Sequence, residues 1–299
     1  MKAKKSLGQH FLTSEAAVHH MVTASGAQKG ETVIEIGPGK GVLTKALLKT
    51  GAIVIVVEKD DRMIPLLTET FTDEIKTGQL TIINGDVLTI DVEKILGSSD
   101  LDAIRGASVD CDQNVLSSTL REQTQTSNKE VRQMCRPYKV VANIPYYITG
   151  EIMRLFLEHN HQPKSMTLLV QKEVAERIVA RDKKESVLSL SVKAFGTPSL
   201  ISVVKKGSFF PIPNVDSAII HIANISQTKL GAVSPEHFFT VVKTGLAHKR
   251  KILISNLKDL YTKDTLSRAF AELSLSEDVR GEDLDVSTWI NLSLILQQY

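Results

Sequence analysis

Thr32-Val33-Ile34-Glu35-Ile36-Gly37-Pro38-Gly39-Lys40-Gly41-Val42-Leu43-Thr44 is the stretch from which the rest of the chain can be read. It opens as a short β-branched apolar run, the composition of a buried parallel strand. It breaks into a loop with glycine at every second position and resumes as an amphipathic helix over Val42 to Leu48. Strand, glycine turn and helix N-terminus suit a ligand carrying ribose and charge, because backbone N–H groups can approach where a Cβ would collide. The spacing is G-x-G-x-G, neither the G-x-G-x-x-G dinucleotide fingerprint nor a P-loop ending in G-K-[ST]. On this stretch alone, a purely structural strand–helix turn is the alternative.

Downstream the pattern repeats. Ala52-Ile53-Val54-Ile55-Val56-Val57-Glu58 reads as a second buried strand ending in an acid, and Arg62 to Phe71 as the next helix. An acid about twenty residues beyond such a glycine loop can accept hydrogen bonds from both ribose hydroxyls of a nucleoside. Leu80-Thr81-Ile82-Ile83 reads as a third strand, with Asp86 just past its C-terminal end, the edge where open α/β sheets place ligands. A fourth, Lys139-Val140-Val141-Ala142, runs into Asn143-Ile144-Pro145-Tyr146-Tyr147. There a side-chain amide, a backbone carbonyl held by a following proline, and an aromatic ring meet at one strand end. Together they can accept both protons of an exocyclic amine while stacking on its flat ring. The bland reading, an Asn-x-Pro turn with a packing tyrosine, weakens once three other strand ends carry ligand-type residues.

Composition bounds the class. The chain has 299 residues, 42% of them hydrophobic, and a net charge of +2. The length suits one large domain and a smaller one, and any basic surface must be local. Cys111 and Cys135 fit neither a disulfide framework nor a zinc spacing, which points to a reducing compartment. No apolar signal core follows Met1-Lys2-Ala3-Lys4-Lys5 and no run reaches transmembrane length, so a soluble cytoplasmic protein is expected. From about Gly97 to Arg136 the chain is rich in Ser, Thr, Gln, Asn and Asp, and reads as a largely disordered excursion with a short helix near Val115 to Arg121. Gln9-His10-Phe11-Leu12 places polar and apolar groups together before a helix beginning near Ser14. Ala223 to Pro235 reads as a linker, and His237 to Gln298 as several short helices.

These segments together resemble the ribosomal RNA adenine N6-dimethyltransferases. The resemblance rests on Gln9-His10-Phe11-Leu12, Glu35 to Gly41, Glu58, Asp86 and Asn143-Ile144-Pro145-Tyr146. It extends to Gln171-Lys172-Glu173-Val174-Ala175-Glu176-Arg177, to Phe210-Pro211-Ile212-Pro213-Asn214-Val215-Asp216-Ser217-Ala218, and to Arg280-Gly281-Glu282-Asp283-Leu284. His248-Lys249-Arg250-Lys251, with Leu253, Asn256 and Leu257, is similar to the family's C-terminal basic helix.

The resemblance implies an α/β fold: a seven-strand S-adenosylmethionine-dependent, Rossmann-like methyltransferase domain over 1–225, carrying the 97–136 insertion, and a small all-α RNA- or ribosome-recognition domain over 234–299. It implies that Gln9, His10, Leu12, Gly37, Gly39 and Asn143 line the S-adenosyl-L-methionine site, that Glu58 holds the ribose and Asp86 the adenine amino group. Asn143 and the Ile144 carbonyl would hold the target amine, Pro145 would fix that carbonyl, Tyr146 would stack on the target base and Phe210 would form the opposite wall. Lys249, Arg250 and Lys251 would grip RNA phosphates.

The implied activity is dimethylation of N6 on two adjacent adenines in a 3′-terminal hairpin of small-subunit rRNA, in free rRNA or an immature small subunit. The enzyme would act as a monomer, and no metal is expected. The alternatives are a large-subunit rRNA methyltransferase conferring antibiotic resistance and a non-catalytic ribosome assembly factor on the same fold. The chain departs from the family pattern in having His10 where Asn is more usual, in lacking the Tyr-Gly that commonly precedes Leu188-Ser189, and in carrying the 97–136 insertion.

Overall fold

The computed structural model describes residues 9–97, 137–180 and 182–299. The expected 97–136 excursion, with its short helix and both cysteines, lies outside the described residues beyond Gly97, as do Lys2, Lys4 and Lys5. Contacts group residues 27–139 as one compact unit, and the residues before 27 together with those from 140 onward as another. This grouping differs from the 225/234 boundary, which follows composition.

In the first unit, β2 (Thr32–Ile36), α2 (Val42–Leu48), β3 (Ile53–Glu58), α3 (Met63–Thr70), α4 (Thr72–Lys76), β4 (Leu80–Asn84) and α5 (Val92–Gly97) follow one another. The three strands are parallel, with Ile36 opposite Val57 and Glu58 opposite Asn84. Every residue of β2 is buried, as are five of the six in β3. A parallel strand covered on both faces needs such continuous apolar runs instead of alternation. The register has a functional result: Gly37, Glu58 and Gly85-Asp86 emerge at the same C-terminal edge, and the Gly37 and Gly85 amides donate to the Val57 and Glu58 carbonyls at 2.9 Å each.

The second unit holds β1 (Phe11–Leu12), α1 (Glu15–Ser25), β5 (Tyr138–Asn143, most of it), α6 (Thr149–Leu157), β6 (Ser165–Gln171), α7 (Lys172–Val179), α8 (Val187–Lys193), β7 (Thr197–Val204), β8 (Phe209–Phe210) and β9 (Ser217–Ala223). α1 starts as expected: Ser14 is its N-cap, accepting from the Ala17 amide, and Gly26 closes it in the left-handed conformation. β9 runs antiparallel to both β6 and β7. The strand order β4-β3-β2-β5-β6-β9-β7 makes a mixed seven-stranded sheet, the α/β architecture expected for the methyltransferase class.

From Pro235 onward the chain is helical: α9 (Pro235–Gly245), α10 (Leu253–Leu257), α11 (Lys263–Glu272) and α12 (Val286–Leu296). Phe238, Val242, Leu257, Phe270, Trp289 and Leu292 are almost fully buried and form the core of these helices. Each such side chain contributes roughly 1.5–3 kcal/mol by leaving water. Backbones approach closely at Gly245, where a Cβ would come within 2.5 Å of the Trp289 ring. The Trp289 indole N–H donates to the Gly281 carbonyl at 3.1 Å, so the buried ring has its one polar group satisfied.

Candidate active site

The glycine loop and the two strand-end acids form one cluster within residues 27–139. Gly37, Gly39 and Gly41 all have positive φ, at 65°, 54° and 78°. At Gly41 a side chain is also sterically excluded, since a Cβ would lie 2.5 Å from the Phe71 ring. At Gly37 a Cβ would project into open space, so there the conformation alone calls for glycine.

Glu58 is 5% exposed and uses both carboxylate oxygens locally: Oε2 accepts from the Gly39 amide at 3.1 Å and Oε1 from the Asp60 amide at 2.8 Å. Burial raises its pKa, and these amides partly offset the rise. The acid thus ties the glycine loop to its own strand end. Asp86 differs. It accepts the Lys59 ammonium at 2.6 Å on Oδ2 and the Leu88 amide at 3.1 Å on Oδ1. Lys59 is the main reason its pKa is lowered, so at neutral pH it is a carboxylate.

Glu35 in β2 was read from the sequence only as part of the glycine motif. It is 1% exposed, its Oε2 has no hydrogen-bond partner among the described residues, and burial pushes its pKa up to about 8, with the Glu58 charge adding to the rise. An acid inside an otherwise β-branched strand was the visible signal.

A second cluster lies wholly in the other unit and joins three segments far apart in sequence. β1 and β8 form a two-stranded ribbon, with Phe11 opposite Phe210 and Leu12 opposite Phe209. The Thr13 amide extends it by donating to the Ser208 carbonyl at 2.8 Å. His10 Nδ1 lies 2.8 Å from the Pro211 carbonyl, which requires that nitrogen to carry the proton. Asn143 Nδ2 donates to the His10 carbonyl at 3.1 Å. A carbonyl only accepts, so the amide NH2 must face His10, leaving Oδ1 as the acceptor of the pair.

Tyr146 is held at both ends. Its hydroxyl is 2.7 Å from Oγ of the fully buried Ser217, and its ring stacks on His10 with centroids 6.0 Å apart and planes 20° from parallel. Ile144 and Leu12 are buried, Gln9 and Pro145 half-buried, and Phe210 is 62% exposed. The structure therefore brings Gln9, His10, Leu12, Asn143, Ile144, Pro145, Tyr146 and Phe210 into one neighbourhood, and Gly37, Gly39, Glu58 and Asp86 into another.

The basic residues require a correction. Lys249, Arg250 and Lys251 do not lie on a helix; they occupy the exposed turn between α9 and α10. α9 stops at Gly245, and the buried Asn256 side chain donates to the carbonyls of Gly245 and His248 at 2.7 and 3.2 Å. Those bonds replace the ones a continuing helix would make, so the cations project from an anchored turn.

The segment lacking the family's Tyr-Gly is also tied down. Lys184 pairs with Glu282 at 3.5 Å and with Asp283, while the Glu185 amide donates to the Glu282 carbonyl at 2.7 Å. That places 184–185 against the Arg280–Leu284 element.

The model of the family described as ribosomal RNA adenine dimethylase matches residues 1–298. The chain belongs to the ribosomal RNA adenine dimethylase family. Relatives named ribosomal RNA small subunit methyltransferase A include one from Dehalococcoides mccartyi, 37% identical over 98% of this chain and 88% of its own length. Others come from Enterococcus faecalis, 34% identical over 99% and 90%, and a Picosynechococcus species, 32% identical over 100% and 99%.

Among solved structures, a dimethyladenosine transferase from Plasmodium falciparum matches with a TM-score of 0.73 at 21% identity, covering 97% of this chain and 98% of that one. The 23S rRNA methyltransferase ErmE matches with 0.68 at 19% identity, covering 96% and 100%. Both likenesses show the same fold. No helix among the described residues is long and apolar enough to cross a membrane, and no cluster of three or more His, Cys, Asp or Glu side chains there could hold a metal ion.

Proposed function

We propose that this chain dimethylates N6 of two adjacent adenines in a 3′-terminal hairpin of small-subunit rRNA during ribosome biogenesis, taking methyl groups from S-adenosyl-L-methionine. Membership of the adenine dimethylase family and the names of the full-length relatives support the reaction and the subunit. One observation carries the chemistry: the Asn143 amide is oriented by the His10 carbonyl so that its acceptor oxygen is left for a substrate amine.

The described residues suit the methyl donor. Positive-φ glycines leave room at Gly37 for a close backbone approach, a buried Glu58 sits at the next strand end, and Asp86 is ionised beyond it. In this reading Gly37, Gly39, Gln9, His10 and Leu12 line the methionine end, Glu58 meets the ribose and Asp86 the adenine amino group. The bound donor supplies an activated sulfonium methyl group. The protein supplies position. Asn143 Oδ1 and the Ile144 carbonyl accept the two protons of the target amine, which favours a pyramidal nitrogen with its lone pair aimed along the line of displacement. Tyr146 and Phe210 flank the base, which must leave its stack to enter. The proton released after transfer passes to solvent.

Residues 1–225 would carry this chemistry, and 234–299 would recognise RNA, with Lys249, Arg250 and Lys251 on phosphates. A monomer working in the cytoplasm completes the reading.

The test is transfer of labelled methyl to immature small subunits, large subunits and free rRNA, with Asn143→Ala beside the parent. Label on small-subunit adenines, lost in Asn143→Ala, is the expected outcome. Label confined to large subunits, or RNA binding without transfer, would overturn the proposal in favour of a resistance methyltransferase or an assembly factor.

A further inference from the structure

Tyr147 follows Tyr146 in the same short 3-10 turn, yet the two rings have different surroundings. Tyr146 is pinned to Ser217, whereas Tyr147 is 61% exposed and lines a cleft of about 700 Å³. α6, α8 and α9 form the walls of that cleft, and Lys249 lies at its rim. Inside it, the Phe239 ring is half-buried beside Phe195, with centroids 6.0 Å apart.

The charges differ in their commitments. Arg154 lies 3.8 Å from Glu158, and Arg177 pairs with Glu173 at 2.8 Å. Lys243 and Lys249 are exposed and have no ion pair among the described residues. An open cleft with aromatic rings along it and uncommitted ammonium groups at its edge has the features that hold unpaired nucleotides: π-faces for bases and cations for phosphates.

Resting on the methyltransferase reading above, we propose that this cleft holds the single-stranded RNA flanking the target adenine. The neighbouring base stacks on Tyr147, and the backbone runs past Lys243 and Lys249. Tyr147 follows Asn143 by four residues, so their Cα atoms are at most ~15 Å apart, which keeps a base on Tyr147 near the Asn143 site. Of the two adjacent adenines, one would wait on Tyr147 while the other occupies the Asn143 site.

The experiment uses the full chain and a fluorescent RNA hairpin with two adjacent adenines in its loop, intact or with either adenine replaced by an abasic nucleotide. Binding is followed by polarisation and methyl transfer is measured in parallel. Tyr147→Ala should weaken binding and raise KM about tenfold, within the range of one lost base stack, with kcat kept within about twofold of the parent, and Tyr147→Phe should restore both. In the parent, an abasic nucleotide at one of the two positions should cost the same factor, and in Tyr147→Ala it should cost nothing further. Lys243→Glu should weaken binding and flatten its salt dependence.

Unchanged binding in Tyr147→Ala, or losses that multiply when the variant meets the abasic RNA, would overturn the proposal. So would a Lys243→Glu chain that loses affinity for whole small subunits but not for RNA, which would assign the cleft to a protein. If the parent methylates no RNA at all, the functional reading fails, while the binding cycle still decides the cleft.

Discussion

The side-chain amide of Asn143 donates to the backbone carbonyl of His10, 133 positions away in sequence, at 3.1 Å. This bond decides which end of the amide is left to accept. It also couples the N-terminal ribbon to the strand end that would hold the substrate amine.

Two substitutions test that coupling separately from the fold. Asn143→Ala removes both amide ends and should lower kcat by about 10²–10³-fold, the scale of one lost oriented polar group at a reacting centre. Asn143→Asp keeps the shape but sets a carboxylate against the His10 carbonyl, two acceptors facing each other, and should be no better. Single-turnover methyl transfer checks both. Activity near the parent level in Asn143→Asp would show that the donor end of the amide is dispensable.

Glu58 accepts from two backbone amides at once. Glu58→Gln retains one acceptor oxygen and turns an NH2 toward the other amide, so the glycine loop should loosen. Calorimetric titration with S-adenosylhomocysteine should show affinity reduced by at least about tenfold, which corresponds to 1.4 kcal/mol.

Glu35 sets a pH dependence with a definite sign. Its folded pKa of about 8 lies above the ordinary 4.5, so the native state keeps a proton that the unfolded chain releases. This contribution is fully present below pH 4.5 and is lost progressively as pH rises toward 8. Glu35→Gln should therefore flatten the fall in stability between those values. Urea midpoints at pH 5 and pH 8, for parent and variant, would measure it, and parallel slopes would count against a protonated Glu35.

The turn that carries Lys249, Arg250 and Lys251 is solvent-exposed and anchored by Asn256. Replacing all three by alanine should leave the melting temperature nearly unchanged. The slope of log K against log salt for RNA binding should become shallower by roughly 0.7–0.9 per phosphate contact removed. Asn256→Ala should weaken binding too, but with a lower melting temperature, because the buried Gly245 carbonyl loses its donor.

Gly245 leaves no room for a side chain beside Trp289. Gly245→Ala should destabilise the helices from Pro235 onward by about 1–3 kcal/mol, the usual cost of overpacking. The Trp289 fluorescence change on unfolding would report it.

Local pattern alone determined a good deal about this protein. β-branched runs ending in Gly37, Glu58 and Asp86 read as parallel strands with ligand-type residues at one edge, because strand burial and glycine geometry are properties of a few consecutive residues. Tertiary structure decided three other matters. It joined 9–12, 143–146 and 208–217, since a ribbon between Phe11 and Phe210 leaves no periodic trace in either segment. It moved the basic residues from the expected helix to a turn, because Asn256, which lies outside the turn, captures the Gly245 carbonyl and shares the His248 carbonyl with the Lys251 amide. And it separated Tyr146 from Tyr147. Adjacent and identical in sequence, they differ only in what packs against each ring: a buried serine for one, an open cleft for the other.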